Sequence, residues 1–167
     1  MIMTGKKGIS EERHPAEEKI KAWCAYQDRC ETEVRRRLAR WGVTGPSAKT
    51  IISRLKKDSF LDEQRFAVSY ARGKFSSRKW GRIRIEHELK SRNISDDHIS
   101  QALAQIDESE YLAALKSLIL GKLKSLSESD RWIVYNKVIT FAVSRGYEAA
   151  LAESILGGCF GDTQINT

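Results

Sequence analysis

At 167 residues, 41% of them hydrophobic, the chain is long enough for one domain of ordinary size or a short repeat array. Its net charge of +7 points toward an acidic partner, with nucleic acid the commonest and an anionic membrane or an acidic protein next. No apolar run approaches the roughly 18 residues of a membrane span, and the start MIMTGKKGISEERHP has no apolar stretch behind its lysines, so neither a span nor a secretory signal is predicted and a cytoplasmic location is expected.

Helix is the predicted state almost throughout. The only prolines, Pro15 and Pro46, fall where a helix would begin, the position that tolerates a missing N–H. Asp62, Ser95 and either Ser127 or Ser129 are short oxygen-bearing residues able to cap the free amides of a first turn. The pattern predicts helices at 15–28, 30–41, 46–57, 62–74, 81–92, 96–106, 108–124, 129–145 and 147–156, joined by short links. Cys24, Cys30 and Cys159 form no CxxC pair; an odd count at these spacings predicts reduced, partly buried thiols rather than a disulfide framework.

The apolar residues repeat. Val34, Leu38, Val43, Ile51 and Leu55 are matched, apart from one short insertion, by Ile85, Leu89, Ile94, Ile99 and Leu103. A weaker third copy runs Val138, Ala142, Tyr147, Leu151 and Ile155, a period of about fifty residues. In each copy the apolar turn residue, Val43, Ile94 or Tyr147, follows Gly42, Asn93 or Gly146. Glycine and asparagine tolerate the left-handed conformation that ends many helices. The expected fold is therefore all-α: three tandem three-helix units (15–58, 59–107, 108–156) in an elongated, curved stack, between flexible segments 1–14 and 157–167.

Charge is uneven along that array. Residues 1–58 carry 14 basic and 8 acidic side chains, residues 59–107 carry 9 and 7, and the remainder 6 and 7. In the first unit Arg35, Arg36, Arg37 and Arg40 crowd one helix; in the second the charge gathers before and at a helix start, in Lys74, Arg78, Lys79, Arg82 and Arg84. Trp80 and Phe75 are predicted to fill the joint between units. Arg82 with Glu86, Glu86 with Lys90 and Glu88 with Arg92 are spaced to pair at i,i+4. Lys74, Arg78, Lys79 and Arg84 then remain to line a concavity for phosphates or carboxylates.

The segment FLDEQRFAVSYARGKFSSRKWGRIRIEHELKSRNIS, Phe60 to Ser95, closely resembles the signature region of the RecX family of bacterial modulators of the RecA recombinase. The carriers are FLDEQRFA, the basic loop with Lys79, Trp80 and Gly81, then RI, EL and a final isoleucine; CETEVRRRL, Cys30 to Leu38, resembles the family's first-unit pattern. Asn93 stands where the family often has glycine, the third unit matches poorly, and the tail GGCFGDTQINT matches nothing.

The resemblance implies three tandem three-helix units that bind RecA filaments on single-stranded DNA, block their extension and restrain recombination, ATP hydrolysis, repressor cleavage and the SOS response. It implies no catalytic residue, cofactor or metal. The RecA- or DNA-binding residues are then expected among Lys74, Arg78, Lys79, Arg82, Arg84, Arg35, Arg36 and Arg40, and the joint between repeats at Phe60, Phe66, Phe75, Trp80, Ile85, Leu89 and Ile94. Weak direct contact with single- or double-stranded DNA is a secondary expectation; contact with a membrane is not expected.

Other chemistries fit less well. GVTGPSAKT, Gly42 to Thr50, has Ala48 where a phosphate-binding loop needs glycine before its Lys and Ser/Thr, and follows an arginine-rich helix rather than a strand. His14, His87 and His98 are scattered without metal-ligand spacing. YLAALKSLILGKLKSL, Tyr111 to Leu126, reads as core through Leu112, Leu115, Leu118, Ile119 and Leu123 rather than as a membrane-surface helix. The alternative function is a direct DNA binder using 81–92 and 96–106 as a helix-turn-helix, but SDDHISQALAQID opens on Asp96 and Asp97 and would repel a major groove.

Overall fold

A computed structural model of the chain describes residues 14–161; the expected flexible segments lie outside the described residues except for His14 and 157–161. Nine helices and no strands form among the described residues: α1 (Pro15–Tyr26), α2 (Glu31–Arg40), α3 (Gly45–Lys57), α4 (Glu63–Arg78), α5 (Arg82–Lys90), α6 (Asp96–Ala104), α7 (Glu108–Lys124), α8 (Arg131–Ser144) and α9 (Ala149–Gly161). They fall into two compact units, divided between Asp62 and Glu63. No helix among the described residues is long and apolar enough to cross a membrane.

In the first unit α1, α2 and α3 enclose Ile20, Cys24, Val34, Leu38, Ile51 and Leu55, with Trp23 and Phe60 packed at the edge. His14 begins α1 by accepting the Ala16 amide on Nδ1 at 3.1 Å, and Pro15 follows at the first helical position. Glu17 is fully buried, yet its carboxylate accepts from Arg54 on α3 at 3.0 Å and meets Lys21 at 3.6 Å. A carboxylate tolerates such burial only when paired. Cys24 and Cys30 are buried and in no disulfide, and burial pushes the Cys24 thiol up to about 11.

The second unit holds α4 to α9. Several ends differ from the sequence expectation. Helix α4 continues past Lys74, its expected end, to Arg78, because Phe75 is buried against the Tyr111 ring, 5.8 Å between centroids. Helix α8 begins at Arg131, capped by neither serine: the Asp130 carboxylate accepts from the amides of Trp132 and Ile133 at 2.8 and 3.1 Å. A charged cap at a helix N-terminus also gains from the macrodipole. Helix α9 runs to Gly161. In α7 Tyr111, Leu115 and Ile119 are buried, while Leu112, Leu118 and Leu123 of the expected stripe are only partly buried.

The turns after α2, α5 and α8 have one geometry. Gly42, Asn93 and Gly146 sit at φ +76°, +59° and +90°. The residue after each donates back across the turn: Val43 to Leu38 at 2.9 Å, Ile94 to Leu89 at 3.2 Å, Tyr147 to Ala142 at 3.2 Å. Each glycine or asparagine amide also reaches the carbonyl three residues before it, completing the paired bonds of a Schellman end. Val43, Ile94 and Tyr147 are all buried, which pins the following helix against the preceding one.

The Gly146 turn does more than end a helix. Its carbonyl and that of Arg145 accept the amides of Ile83 and Gly81 at 3.0 and 2.9 Å, joining the start of α5 to the end of α8. A Cβ on Gly81 would overlap the Gly146 carbonyl, and one on Gly146 would overlap Arg84. Gly81→Ala is therefore expected to destabilise by about 2 kcal/mol, a drop of several degrees in Tm. Gly73→Ala, in open space on α4, is expected to stabilise by about 0.5 to 1 kcal/mol. Thermal unfolding of the two variants checks whether one substitution has opposite signs at the two positions.

Candidate functional site

The basic stretch around Trp80 is built on the end of α4, a tight turn and the start of α5. The turn forms because Lys79 adopts φ +52° and the Lys79 amide still reaches the Phe75 carbonyl at 3.0 Å. Trp80 is only half-buried. Its indole carries the Arg84 guanidinium at 4.1 Å and the Lys74 ammonium at 5.0 Å from the ring centroid. Lys74 also lies 5.1 Å from the Tyr70 ring, over which Arg92 sits at 4.9 Å.

The result is an alternating row, Arg92, Tyr70, Lys74, Trp80, Arg84, in which each ring touches two cations. Cation–π contacts hold charge in place without neutralising it. Arg78 and Lys79 flank the row, exposed, and Lys79 approaches the Phe75 ring at 5.5 Å. None of Lys74, Arg78, Lys79 and Arg84 forms an ion pair among the described residues. Such a row suits an anionic surface, whether phosphate or carboxylate.

The remaining predicted residues separate from this group. Arg82 does not pair with Glu86: its guanidinium bonds Glu108 at 2.6 Å and lies 4.0 Å over the Tyr111 ring, while its amide donates to the Tyr111 hydroxyl at 3.0 Å. It is a joint residue between α5 and α7. Glu86 keeps Lys90 at 2.7 Å and Glu88 keeps Arg92 at 2.8 Å; the Arg92 hydrogen bond holds the Glu88 carboxyl below its ordinary range. In the first unit Arg35 is paired with Glu31, which also holds Lys56 at 2.6 Å, and these bonds, from Lys56 foremost, lower the Glu31 pKa. Arg36 and Arg40 are exposed and unpaired among the described residues.

Of the predicted joint residues, Phe66, Phe75, Ile85, Leu89 and Ile94 are buried in the second unit, whereas Phe60 packs on the core of the first. The joint between α4–α6 and α7–α9 has a different centre. Tyr111 packs at a tilt against Phe75 and Tyr147, 4.9 Å between the tyrosine rings, and donates to Glu148 at 2.7 Å. Burial and the Glu148 carboxylate hold the Tyr111 phenol well above its ordinary value. Tyr70 and Arg92 were missed from the site. Tyr70 and Lys74 stand at i,i+4 on one helix and were legible; Arg92 reaches Tyr70 only through tertiary packing. No group of three or more His, Cys, Asp or Glu able to hold a metal ion is present among the described residues.

Residues 62–103 match the family model for the second three-helix domain of RecX. The regulatory protein RecX of Clostridium perfringens (strain 13 / Type A) is 30% identical over 132 residues, covering 75% of this chain and 59% of the relative. That of Oceanobacillus iheyensis is 26% identical over 132 residues, 79% of this chain and 48% of the relative, and that of Pelodictyon phaeoclathratiforme 26% over 124 residues, 74% and 76%. The chain belongs to the RecX family. It spans about half the length of several curated RecX relatives that it matches. The fold agrees: a crystal structure of regulatory protein RecX superimposes with TM-score 0.78 at 20% identity, covering 85% of this chain and 70% of the other, and RecX from Lactobacillus salivarius with 0.76 at 18%, covering 85% and 92%. The region matched by the RecX domain model contains the whole cation and ring row.

The two classes of arginine respond differently to truncation. Arg82→Ala is expected to lower stability by about 1 to 2 kcal/mol through loss of the Tyr111 and Glu108 contacts, and Arg78→Ala to stay within about 0.5 kcal/mol of the parent. Equal urea midpoints for the two variants would show that Arg82 is not a joint residue.

Proposed function

We propose that this chain is a regulatory, non-catalytic protein of the cytoplasm that binds RecA filaments on single-stranded DNA and restrains their extension, with loss of recombinase, ATPase and coprotease activity. The observation that carries the reading is the row from Arg92 to Arg84, lying inside the region matched by the RecX domain model. A filament on DNA presents acidic protein surface and phosphates together. Lys74, Arg78, Lys79 and Arg84 are the contacts in this reading, and Arg82 holds the frame that presents them.

The proposal accounts for why Lys74, Lys79 and Arg84 rest on rings rather than carboxylates. A ring-held guanidinium keeps its net charge and its in-plane donors, and loses little side-chain freedom when it meets an anion. A helix-turn-helix reading of α5 and α6 gains nothing comparable. The amide end of α6 is capped by Ser95, which accepts from His98 at 3.3 Å, and is faced by Asp96 and Asp97.

The test is DNA-stimulated ATP hydrolysis by RecA as this protein is titrated from far below to equal stoichiometry. Inhibition is expected well before naked single-stranded DNA is covered in a matched titration. The triple variant Lys74→Ala/Arg78→Ala/Arg84→Ala, with unchanged helical content, is expected to need at least tenfold more protein for the same inhibition. Inhibition that appears only when the DNA itself is saturated would refute filament regulation, and full potency in the triple variant would remove the assigned contacts.

A further inference from the structure

The last two helices carry aromatic surface that no cation covers. On α8 the Trp132 and Tyr135 rings lie parallel, within 7° of one another and 6.1 Å apart between centroids. Trp132 is 71% exposed, and neither ring holds a lysine or arginine among the described residues. Tyr70 and Trp80, by contrast, each hold two cations. Together with Arg131 and with Phe160 of α9, Trp132 and Tyr135 line an open recess of about 470 Å³. Contiguous apolar surface left in water marks a contact site.

Arg131 is the polar member of the recess. It occupies the first position of α8, where the macrodipole opposes a cation, so helix stability does not account for it. Its guanidinium lies 4.7 Å from the centroid of the Phe160 ring and pairs with no carboxylate among the described residues. The adjacent Asp130 carboxylate is committed to the amides of Trp132 and Ile133. Arg131 therefore brings an uncancelled charge and its in-plane donors to a recess that is otherwise apolar. Burial and then the Glu153 carboxylate of α9 hold the Tyr135 phenol above its ordinary value, which sets a second acidic group beside the site.

We propose that this recess docks the C-terminal residue of a partner protein chain, with an aromatic side chain against Trp132 and Tyr135 and the terminal carboxylate on Arg131. Charge complementarity argues for that occupant: one uncancelled guanidinium calls for one carboxylate, which its planar fork meets with two parallel bonds. A chain end supplies the ring and the carboxylate from a single residue, so little else has to be ordered on binding. The recess lies in the lower half of the roughly 300 to 1,000 Å³ of ligand clefts, a size for one residue and its neighbour. A strand of phosphates is a poor fit, because residues 108–167 carry 6 basic and 7 acidic side chains and Glu153 stands at the site. The inference rests on residues 131–160 and stands apart from the filament reading.

The test uses the full isotope-labelled chain and heteronuclear NMR, with the Trp132 indole N–H signal identified as the one missing from Trp132→Phe. The probe is the peptide Gly-Ser-Gly-Ser-Gly-Phe with a free terminal carboxylate. It is expected to shift that signal saturably, with a dissociation constant below about 1 mM. The same peptide as its C-terminal amide is expected to bind about fivefold more weakly, and the peptide ending in alanine at least about tenfold more weakly. Arg131→Gln is expected to weaken the free acid about fivefold and to leave the amide unchanged, so that acid and amide bind alike.

Equal binding of acid and amide by the parent chain would overturn the proposal, and so would a gap between them that persists in Arg131→Gln. A Trp132 signal that moves with a thymidine oligonucleotide and not with the peptide would reassign the recess to nucleic acid. One that moves when the chain alone is diluted, with a dimer in sedimentation that Trp132→Ala abolishes, would reassign it to a second copy. The remaining backbone signals of each variant report directly on folding, and Arg131 and Trp132 are both exposed.

Discussion

The bonds from the Gly81 and Ile83 amides to the Arg145 and Gly146 carbonyls are the constraint on which the second unit depends. They set the free donors of a helix start against the free acceptors of a helix end, satisfying both without a side chain. Gly81 and Gly146 can approach this closely only because neither carries a Cβ. Everything beside the contact inherits its position. Arg82 follows Gly81 directly and is delivered onto Tyr111. Arg84 lies against Gly146 at its own Cβ, which leaves its guanidinium to turn toward Trp80. The surface row and the internal joint are therefore consequences of one contact.

The three Schellman turns show how a repeat diverges in use while keeping its geometry. All three need a left-handed residue, and all three bury the residue that follows. Gly42 has open space around it, so its hydrogen atom serves φ alone; Gly146 serves φ and the approach of α5 at once. The position equivalent to Gly81 is Cys30 in the first repeat and Val134 in the third, and neither lacks a Cβ. A backbone contact of the Gly81 kind is thus confined by sequence to the joint where it occurs.

The repeat was legible because it is written in backbone requirements. A left-handed turn residue at a fixed offset from two apolar positions leaves few alternatives, so Gly42, Asn93 and Gly146 marked their turns correctly. Helix ends were less legible where packing decided them: Phe75 carried α4 past Lys74, and Asp130 displaced two serines as the cap of α8. The candidate site was legible as a region but not as a set of roles. Spacing of i,i+4 sees one helix at a time and assigned Arg82 to Glu86, whereas Glu108 comes from another helix. Trp80 was read as filler for a joint because tryptophan buries well. The joint instead uses two glycines and two tyrosines, and leaves the indole at the surface for Lys74 and Arg84.

The same distinction sorts the arginines and lysines by what they contribute to the field outside the protein. Arg35, Lys56, Arg82 and Lys90 each face a carboxylate, so at distances beyond a Debye length of about 8 Å these pairs nearly vanish. Lys74 and Arg84 in the second unit, and Arg29 and Arg37 in the first, are held by rings, whose quadrupoles fix a cation without cancelling it. A net charge of +7 spread over flexible side chains would attract anions indiscriminately. Cations anchored on aromatic rings attract them at defined places, and at a lower entropic cost on binding. In each unit it is the aromatic residues, more than the number of basic ones, that turn positive charge into a surface with a shape.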